Sequence, residues 1–240
     1  MPKNDKCVVT DSAICKWINK DCGDCYLKEI KDESDRKKIL EDFEVTLSLL
    51  PDDFDSLQGD ECSFCTGEPG RRSCYATVDL AHKEPEHKRG MFFGMGKKVR
   101  QRIGSLLPIS ISICSDCRRN LRMAEAFKWL MVLLFGGIGL GVCFIPAVNA
   151  NPILPYAVIL AGILVGYVVG KIFSGIYVDK KSAKTRFNVF DIPVCAEMRD
   201  NGWFTVQDEG PVTRFIFSKK PMIKRLSDVG IERDNKGEII

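Results

Sequence analysis

Two long apolar runs near the middle of the chain dominate its pattern of hydrophobic and polar positions. They cover residues 129–148 and 153–170, and neither contains a charged residue. Each is about 20 residues long, which is the length that an α-helix needs to cross the hydrocarbon layer of a membrane. A helix in the core of a soluble protein rarely stays uncharged on every side. The pattern therefore predicts a transmembrane helical hairpin over residues 126–175.

The charged residues around the two runs predict the orientation of this hairpin. Positive residues precede the first run and end or follow the second, whereas the turn at residues 149–152 carries no charge. Because positive flanks stay in the cytoplasm, we expect a multi-pass membrane protein with two spans and both termini cytoplasmic. Residues 1–17 lack the apolar core of a secretory signal peptide, so we expect the first span to direct insertion.

Small residues recur at every fourth position of the second run. Gly162, Gly166 and Gly170 lie on one face of the predicted helix. Small side chains let helix backbones approach closely, which favours association in lipid. We expect this glycine stripe to pack on the first span, to form a homo-oligomer, or to do both. Neither run contains Asp, Glu, His, Lys or Arg, which argues against a transporter or a proton relay.

The polar segments on either side of the hairpin predict small cytoplasmic modules. Residues 28–60 are acidic and carry apolar residues at helical spacing, so they predict an amphipathic helix with a solvated acidic face. Residues 187–240 predict a small α+β module. Its elements are a helix capped by Asp191, strands within residues 203–206 and 212–217, and a final helix that begins at Ser218 and ends before Gly230.

Two Cys-x-x-Cys motifs are the sharpest chemical signal in the sequence. They occur in ECSFCTG and in ISICSDCRRNL, the second at the end of a strand-like apolar run. Two residues between the cysteines let one turn aim both sulfurs at one ion, and two such turns complete a tetrahedral shell. These motifs resemble the two knuckles of a zinc-ribbon domain. The resemblance implies a β-rich module over residues 61–122 with zinc bound by Cys62, Cys65, Cys114 and Cys117.

The segment between the two motifs is longer than the about 15 to 20 residues usual in such sites. We expect either a long hairpin over residues 75–113 or two separate sites. Cys74, His82 and His87 lie in this segment as spare ligands, although lone residues of these types are more often structural or exposed.

A further group of cysteines makes residues 1–27 a cysteine-rich segment. Four thiolates there could hold a second zinc ion or an iron–sulfur cluster; the residues are Cys7, Cys15, Cys22 and Cys25. The alternative is a redox-active Cys22–Cys25 pair, whose thiolate Lys20 and Lys28 would favour and Asp24 would oppose. Ten of the eleven cysteines lie in the segments assigned to the cytoplasm, where thiols stay reduced rather than form disulfides.

Basic residues with interleaved aromatics precede the second motif. The cluster consists of Lys97, Lys98, Arg100 and Arg102. Such a cluster can bind nucleic acid, contact anionic lipid head groups, or pair with the acidic helix. Because a span begins shortly afterwards, we favour lipid contact together with intramolecular pairing over nucleic acid.

The sequence as a whole predicts an α+β protein with membrane helices. It combines a cytoplasmic zinc-ribbon-like β-rich module, a two-helix transmembrane hairpin and a small cytoplasmic C-terminal α+β module. We expect a membrane-anchored zinc-binding protein that is not an enzyme and that binds a cytoplasmic protein partner in an interaction or regulatory role. The alternatives are a thiol redox protein or sensor that uses Cys22 and Cys25, and a membrane-tethered nucleic-acid binder.

Overall fold

The computed structural model describes residues 32–84, 93–94, 97–98, 103–149, 153–206 and 212–230. The helices are α1 (Glu33–Ser48), α2 (Ser115–Val142), α3 (Pro146–Asn149), α4 (Leu154–Lys181) and α5 (Pro193–Asp200), with short 3-10 helices at Asp52–Gln58, Val189–Asp191 and Ser227–Val229. The strands are β1 (Cys74–His82), β2 (Phe93–Gly94), β3 (Lys97–Lys98), β4 (Ser105–Ile113), β5 (Phe204–Thr205) and β6 (Ile216–Ser218). The chain is thus an α+β protein with a small antiparallel sheet, as the sequence predicts.

Strand β1 is the centre of this four-stranded antiparallel sheet. β4 pairs with β1 along its whole length, from Cys74 opposite Ile113 to His82 opposite Ser105. β5 and β6 pair with the other side of β1. The long segment between the Cys-x-x-Cys motifs is therefore a hairpin, which confirms the first of the two alternatives. β2 and β3 form a short ladder within it.

The sheet shares one hydrophobic core with residues from both ends of the described chain. Ile109 and Ile111 of β4 are fully buried, and they belong to the same cluster as Leu47 of α1 and Met198 of α5. The indole Nε1 of Trp203 donates a hydrogen bond to the Leu49 carbonyl at 3.1 Å. The segment after the apolar hairpin therefore contributes two strands and part of the core to the sheet domain.

Helices α2 and α4 pack side by side as an antiparallel pair, with the glycine stripe at their contact. A Cβ atom on Gly162 would lie 2.7 Å from the Phe135 carbonyl oxygen, and one on Gly166 would lie 2.6 Å from that of Met131. Real Cβ atoms essentially never come so close to backbone. The stripe therefore packs on α2 within one chain, while the expected homo-oligomer stays a prediction.

Both helices are long and apolar enough to cross a membrane. Their outward side chains are apolar and exposed: Leu133 is 73% exposed, Leu130 58% and Leu160 59%. Only 6% of the most apolar stretch of α2 and 17% of that of α4 is buried. The hairpin is therefore not the buried core of the described fold.

The two helices extend beyond their uncharged runs and carry the sheet domain on these extensions. Ser174 donates a hydrogen bond from Oγ to the Ala124 carbonyl at 2.7 Å. The Arg122 guanidinium lies 5.2 Å from the centre of the Phe217 ring of β6. Polar and aromatic contacts thus join the first turns of α2 to α4 and to the sheet.

Two predictions about the helices after α4 are wrong. Asp191 does not cap α5, because its carboxylate accepts from the Asn188 amide in a capping box on the preceding 3-10 helix. The predicted final helix is replaced by the end of β6 and one 3-10 turn. Asp55 accepts from the backbone N–H groups of Leu226 and Ser227 at 2.7 and 2.8 Å. Side-chain partners therefore take backbone donors that an α-helix would have used.

Candidate metal centre

The first Cys-x-x-Cys motif lies on a loop that hydrogen bonds hold against the sheet. The Cys62 amide donates to the Gly70 carbonyl at 2.9 Å, and the Ser63 amide donates to the Ser112 carbonyl of β4 at 3.0 Å. Phe64, between the cysteines, is fully buried and packs edge-on against Phe215. The buried ring anchors the turn, so that both cysteines of the motif point to the same side.

The second motif forms the start of α2. Cys114 is the N-cap of this helix, and its Sγ accepts a hydrogen bond from the Cys117 amide at 3.4 Å. Cys117 lies in the first helical turn. The amides at a helix N-terminus carry partial positive charge and favour anions beside them. The end of β4 at Ile113 thus delivers both cysteines of the second motif to the N-terminus of α2.

The structure brings the four predicted sulfurs together, all within 4.8 Å of one another. The Cys65 Sγ lies 3.6 Å from the Cys117 Sγ and 3.9 Å from the Cys114 Sγ. Four sulfurs on a tetrahedral ion with bonds of about 2.3 Å are about 3.8 Å apart, whereas a disulfide brings sulfurs to about 2.05 Å. All four are free thiols. The cluster therefore could hold a metal ion.

Burial and a close glycine enclose this cysteine cluster. Cys62, Cys114 and Cys117 are buried, and Cys65 is partly exposed. A Cβ atom on Gly70 would lie 3.3 Å from the Cys114 Cβ and 3.5 Å from its Sγ. A larger residue at position 70 would therefore press on a proposed ligand.

The four thiols of the cluster do not all ionise together without a cation. A hydrogen bond from the Cys117 thiol stabilises the Cys62 thiolate and lowers the pKa of Cys62, while burial raises the pKa of Cys65. Two unit charges 4 Å apart repel by about 4 kcal/mol at an effective dielectric constant of 20. Four thiolates at such distances are stable only around a positive ion.

The segment that follows α4 is bonded to the first motif. The Thr66 Oγ1 donates to the Ala183 carbonyl at 2.6 Å. The Arg186 guanidinium donates from Nη1 to the Cys65 carbonyl at 2.7 Å, and the Arg186 amide donates to the Phe64 carbonyl at 2.8 Å. The first motif is therefore fixed to the end of α4 and the second to the start of α2. An ion held by all four sulfurs would join the two helices.

Comparison of the chain with protein-family models, curated proteins and solved structures finds no match. The resemblance to a zinc ribbon thus depends on the four cysteines and their spacing, and no family match confirms it.

Three residues beside the cluster were not predicted from the sequence. The Thr185 Oγ1 lies 3.6 Å from the Cys117 Sγ and accepts a hydrogen bond from the Asn120 Nδ2 at 2.9 Å. The Tyr177 hydroxyl donates to the Asn120 Oδ1 at 3.1 Å. One signal was present: positions 117 and 185 are nearly equally far along the chain from the turn of the hairpin, so an antiparallel pair brings them to the same level.

The two described spare ligands lie apart from the cluster. The Cys74 Sγ accepts from the Arg118 Nη1 at 3.6 Å. The His82 Nδ1 accepts from the Glu84 amide at 3.0 Å, so its Nε2 donates to the Asn201 carbonyl, also at 3.0 Å. Their described contacts are those of structural residues.

Several predicted site residues lie outside the described residues. They are Cys7, Cys15, Cys22, Cys25, His87, Arg100 and Arg102. For Lys97 and Lys98 the description covers the backbone, as part of β3. The second metal site, the redox pair and the basic contact surface therefore stay predictions.

Proposed function

We propose that this protein is a membrane-anchored zinc-binding protein. In this proposal α2 and α4 cross the bilayer, and Cys62, Cys65, Cys114 and Cys117 hold one zinc ion on its cytoplasmic side. One observation carries the proposal: the four sulfurs converge within 4.8 Å at the polar end of a helix pair that is apolar enough to span a membrane.

The donor set supports zinc in a structural role. A shell of four thiolates is typical of structural zinc sites, and it leaves no position open for a substrate or a catalytic water. Zinc binding in such a site contributes directly to the folding free energy of a small domain. We therefore assign the centre to stability and the sheet domain to a non-enzymatic interaction or regulatory role with a cytoplasmic protein partner.

The lengths and charges of the helices support the membrane placement. Each helix has 28 residues and is therefore about 42 Å long, whereas the hydrocarbon core is about 30 Å thick. The remaining about 12 Å suffices to carry the cysteine cluster beyond the hydrocarbon. Lys171 and Lys180 are exposed near this end, and the positive-inside tendency assigns that end to the cytoplasm.

Elemental analysis of the full chain purified in detergent tests the metal. We expect at least one tightly held zinc per chain, and the loss of one equivalent in a variant that carries Cys62→Ser and Cys65→Ser. Cys143→Ser is the matched control, because Cys143 lies on the apolar end of α2 and bonds the Gly139 and Pro155 carbonyls. A wild-type protein without metal, or a double variant with unchanged zinc content, would contradict the proposal.

Two further measurements test the remaining parts. The metal content of a variant that carries Cys22→Ser and Cys25→Ser reports whether residues 1–27 hold a second ion. If the wild type holds two metal ions per chain and this variant holds one, the second ion is bound by residues 1–27. Reporter domains fused to either terminus should both be active in the cytoplasm. Termini on the outer face would refute the orientation while leaving the metal content as measured.

A further inference from the structure

A buried hydroxyl from the segment after α4 lies against one sulfur of the cysteine cluster. Thr185 is 1% exposed, and its Oγ1 lies 3.6 Å from the Cys117 Sγ. Its backbone position is set by the bridge that Thr185 forms with Cys65. Because the side chain is closed to bulk solvent, the hydroxyl is expected to have hydrogen-bond partners within the protein.

The neighbours of Thr185 fix the direction of its hydrogen bond. Asn120 donates from Nδ2 to the Thr185 oxygen at 2.9 Å, and the Tyr177 hydroxyl donates to the Asn120 Oδ1 at 3.1 Å. The hydroxyl hydrogen of Thr185 remains to be donated, and the Cys117 sulfur is the acceptor beside it. A metal-bound thiolate carries no hydrogen of its own, so the bond has to run from oxygen to sulfur.

We propose that Thr185 is a positioning residue of the metal centre, donating a hydrogen bond to the metal-bound Cys117 thiolate while Asn120 and Tyr177 hold it in place. This inference rests on the proposed metal site. Partners of this kind orient a ligand and tune its charge, and their loss typically costs 10- to 100-fold in metal affinity.

The same three residues link the ion to the packing of the two helices. Asn120 belongs to α2, Tyr177 to α4, and Thr185 to the segment that follows α4. The Tyr177 ring also packs on Phe127 of α2, with ring centres 5.2 Å apart. The chain of hydrogen bonds therefore runs from α4 through α2 to a proposed ligand.

The experiment compares Thr185→Val with Thr185→Ser in the full chain in detergent. Valine replaces the hydroxyl by a methyl group of similar shape, whereas serine keeps the hydroxyl. Zinc affinity is measured by competition with a chromophoric chelator, and cobalt(II) replaces zinc as an optical probe. We expect Thr185→Val to bind about 10-fold more weakly or worse and Thr185→Ser to bind like the wild type.

The cobalt spectrum provides a signature that a purely structural residue would not give. A hydrogen bond to sulfur lowers the energy of its lone pairs. Its loss should therefore move the sulfur-to-cobalt charge-transfer bands of Thr185→Val to lower energy, and those of Thr185→Ser should stay in place. Tyr177→Phe keeps the ring contact with Phe127 and removes the outer hydrogen bond, so it should change the affinity in the same direction by less.

Ser174→Ala is the control for helix packing. Ser174 is buried and bonds α4 to the Ala124 carbonyl of α2 without touching the cluster. Equal losses in Ser174→Ala and Thr185→Val, or unchanged affinity and bands in Thr185→Val, would overturn the inference. If Thr185→Val does not fold, Tyr177→Phe decides: an affinity equal to that of the wild type overturns it. A wild-type protein that binds neither metal would instead refute the proposed function.

Discussion

The glycine at position 166 allows a sharp test of the α2–α4 contact. In Gly166→Ala the added Cβ would lie 2.6 Å from the Met131 carbonyl oxygen and 2.9 Å from the Val132 Cα. Both are backbone atoms, which cannot rotate away as a side chain can. A Cβ added to Gly137 on α2 meets no atom within 4 Å apart from its chain neighbours and its own helix backbone. Gly137→Ala is therefore a control that makes the same substitution in open space.

The free-energy cost of Gly166→Ala can be worked out from these distances. Ordinary van der Waals contact begins at 3.4 Å, so the helices have to separate by about 0.8 Å, and a gap of that size forfeits about a quarter to a half of the local dispersion attraction. Overpacking of this kind costs about 1 to 3 kcal/mol. Alanine itself is favoured over glycine in a helix by about 1 kcal/mol. We expect Gly166→Ala to destabilise the hairpin by up to about 2 kcal/mol and Gly137→Ala to stabilise it slightly.

Equilibrium opening of the hairpin in mixed micelles measures both variants. Pyrene labels on non-canonical amino acids at positions 123 and 176, which are exposed at a similar level of α2 and α4, report proximity through excimer emission while SDS is titrated. The midpoint should fall for Gly166→Ala and stay or rise for Gly137→Ala. Equal midpoints for the two variants would refute the close contact at Gly166.

Three other perturbations have expected outcomes. Burial raises the pKa of Cys195 to about 12, so its thiol stays neutral below that pH. Mass spectrometry should therefore find Cys195 unalkylated by iodoacetamide at pH 8 until denaturant is added. Rapid alkylation of the native protein would show that the core around Cys195 is open. Trp203→Phe leaves the partly buried Leu49 carbonyl without its indole donor and should lower the unfolding free energy by about 1 to 3 kcal/mol, measured by chemical denaturation. Arg214→Ala removes an exposed ion pair with Glu125 and should change that free energy by about 1 kcal/mol or less; a larger loss would show that the pair is shielded from solvent.

Local patterns predicted those parts of the structure that local chemistry determines. The uncharged runs gave both long helices, and the apolar spacing before Leu50 gave α1. The two Cys-x-x-Cys motifs identified the four sulfurs that converge, because a short turn fixes the direction of both cysteines in each pair. Their convergence depends on the pairing of β1 with β4 in the long hairpin, which the sequence left open against two separate sites.

Parts that depend on distant partners could not be predicted in this way. Thr185 and Asn120 are common polar residues, and only the antiparallel packing of α2 on α4 places them beside Cys117. The predicted final helix failed for a similar reason, since its backbone donors bond Asp55, which is far away in the sequence. Helical propensity describes only neighbours along the chain. It therefore cannot predict that a distant side chain such as Asp55 competes with a helix for the same backbone N–H groups.

The continuity of α2 has a mechanical consequence. The helix has no described break between the cysteine in its first turn and its apolar end. In the proposed orientation, a bilayer of altered thickness tilts its helices, and a tilt of about 10° moves a point about 30 Å along a helix by about 5 Å. In a structural zinc site the metal–sulfur distances stay within about 0.2 Å of 2.3 Å. The loop with the other two cysteines is bonded to the segment after α4, so both helices have to tilt together if all four sulfurs are to hold one ion.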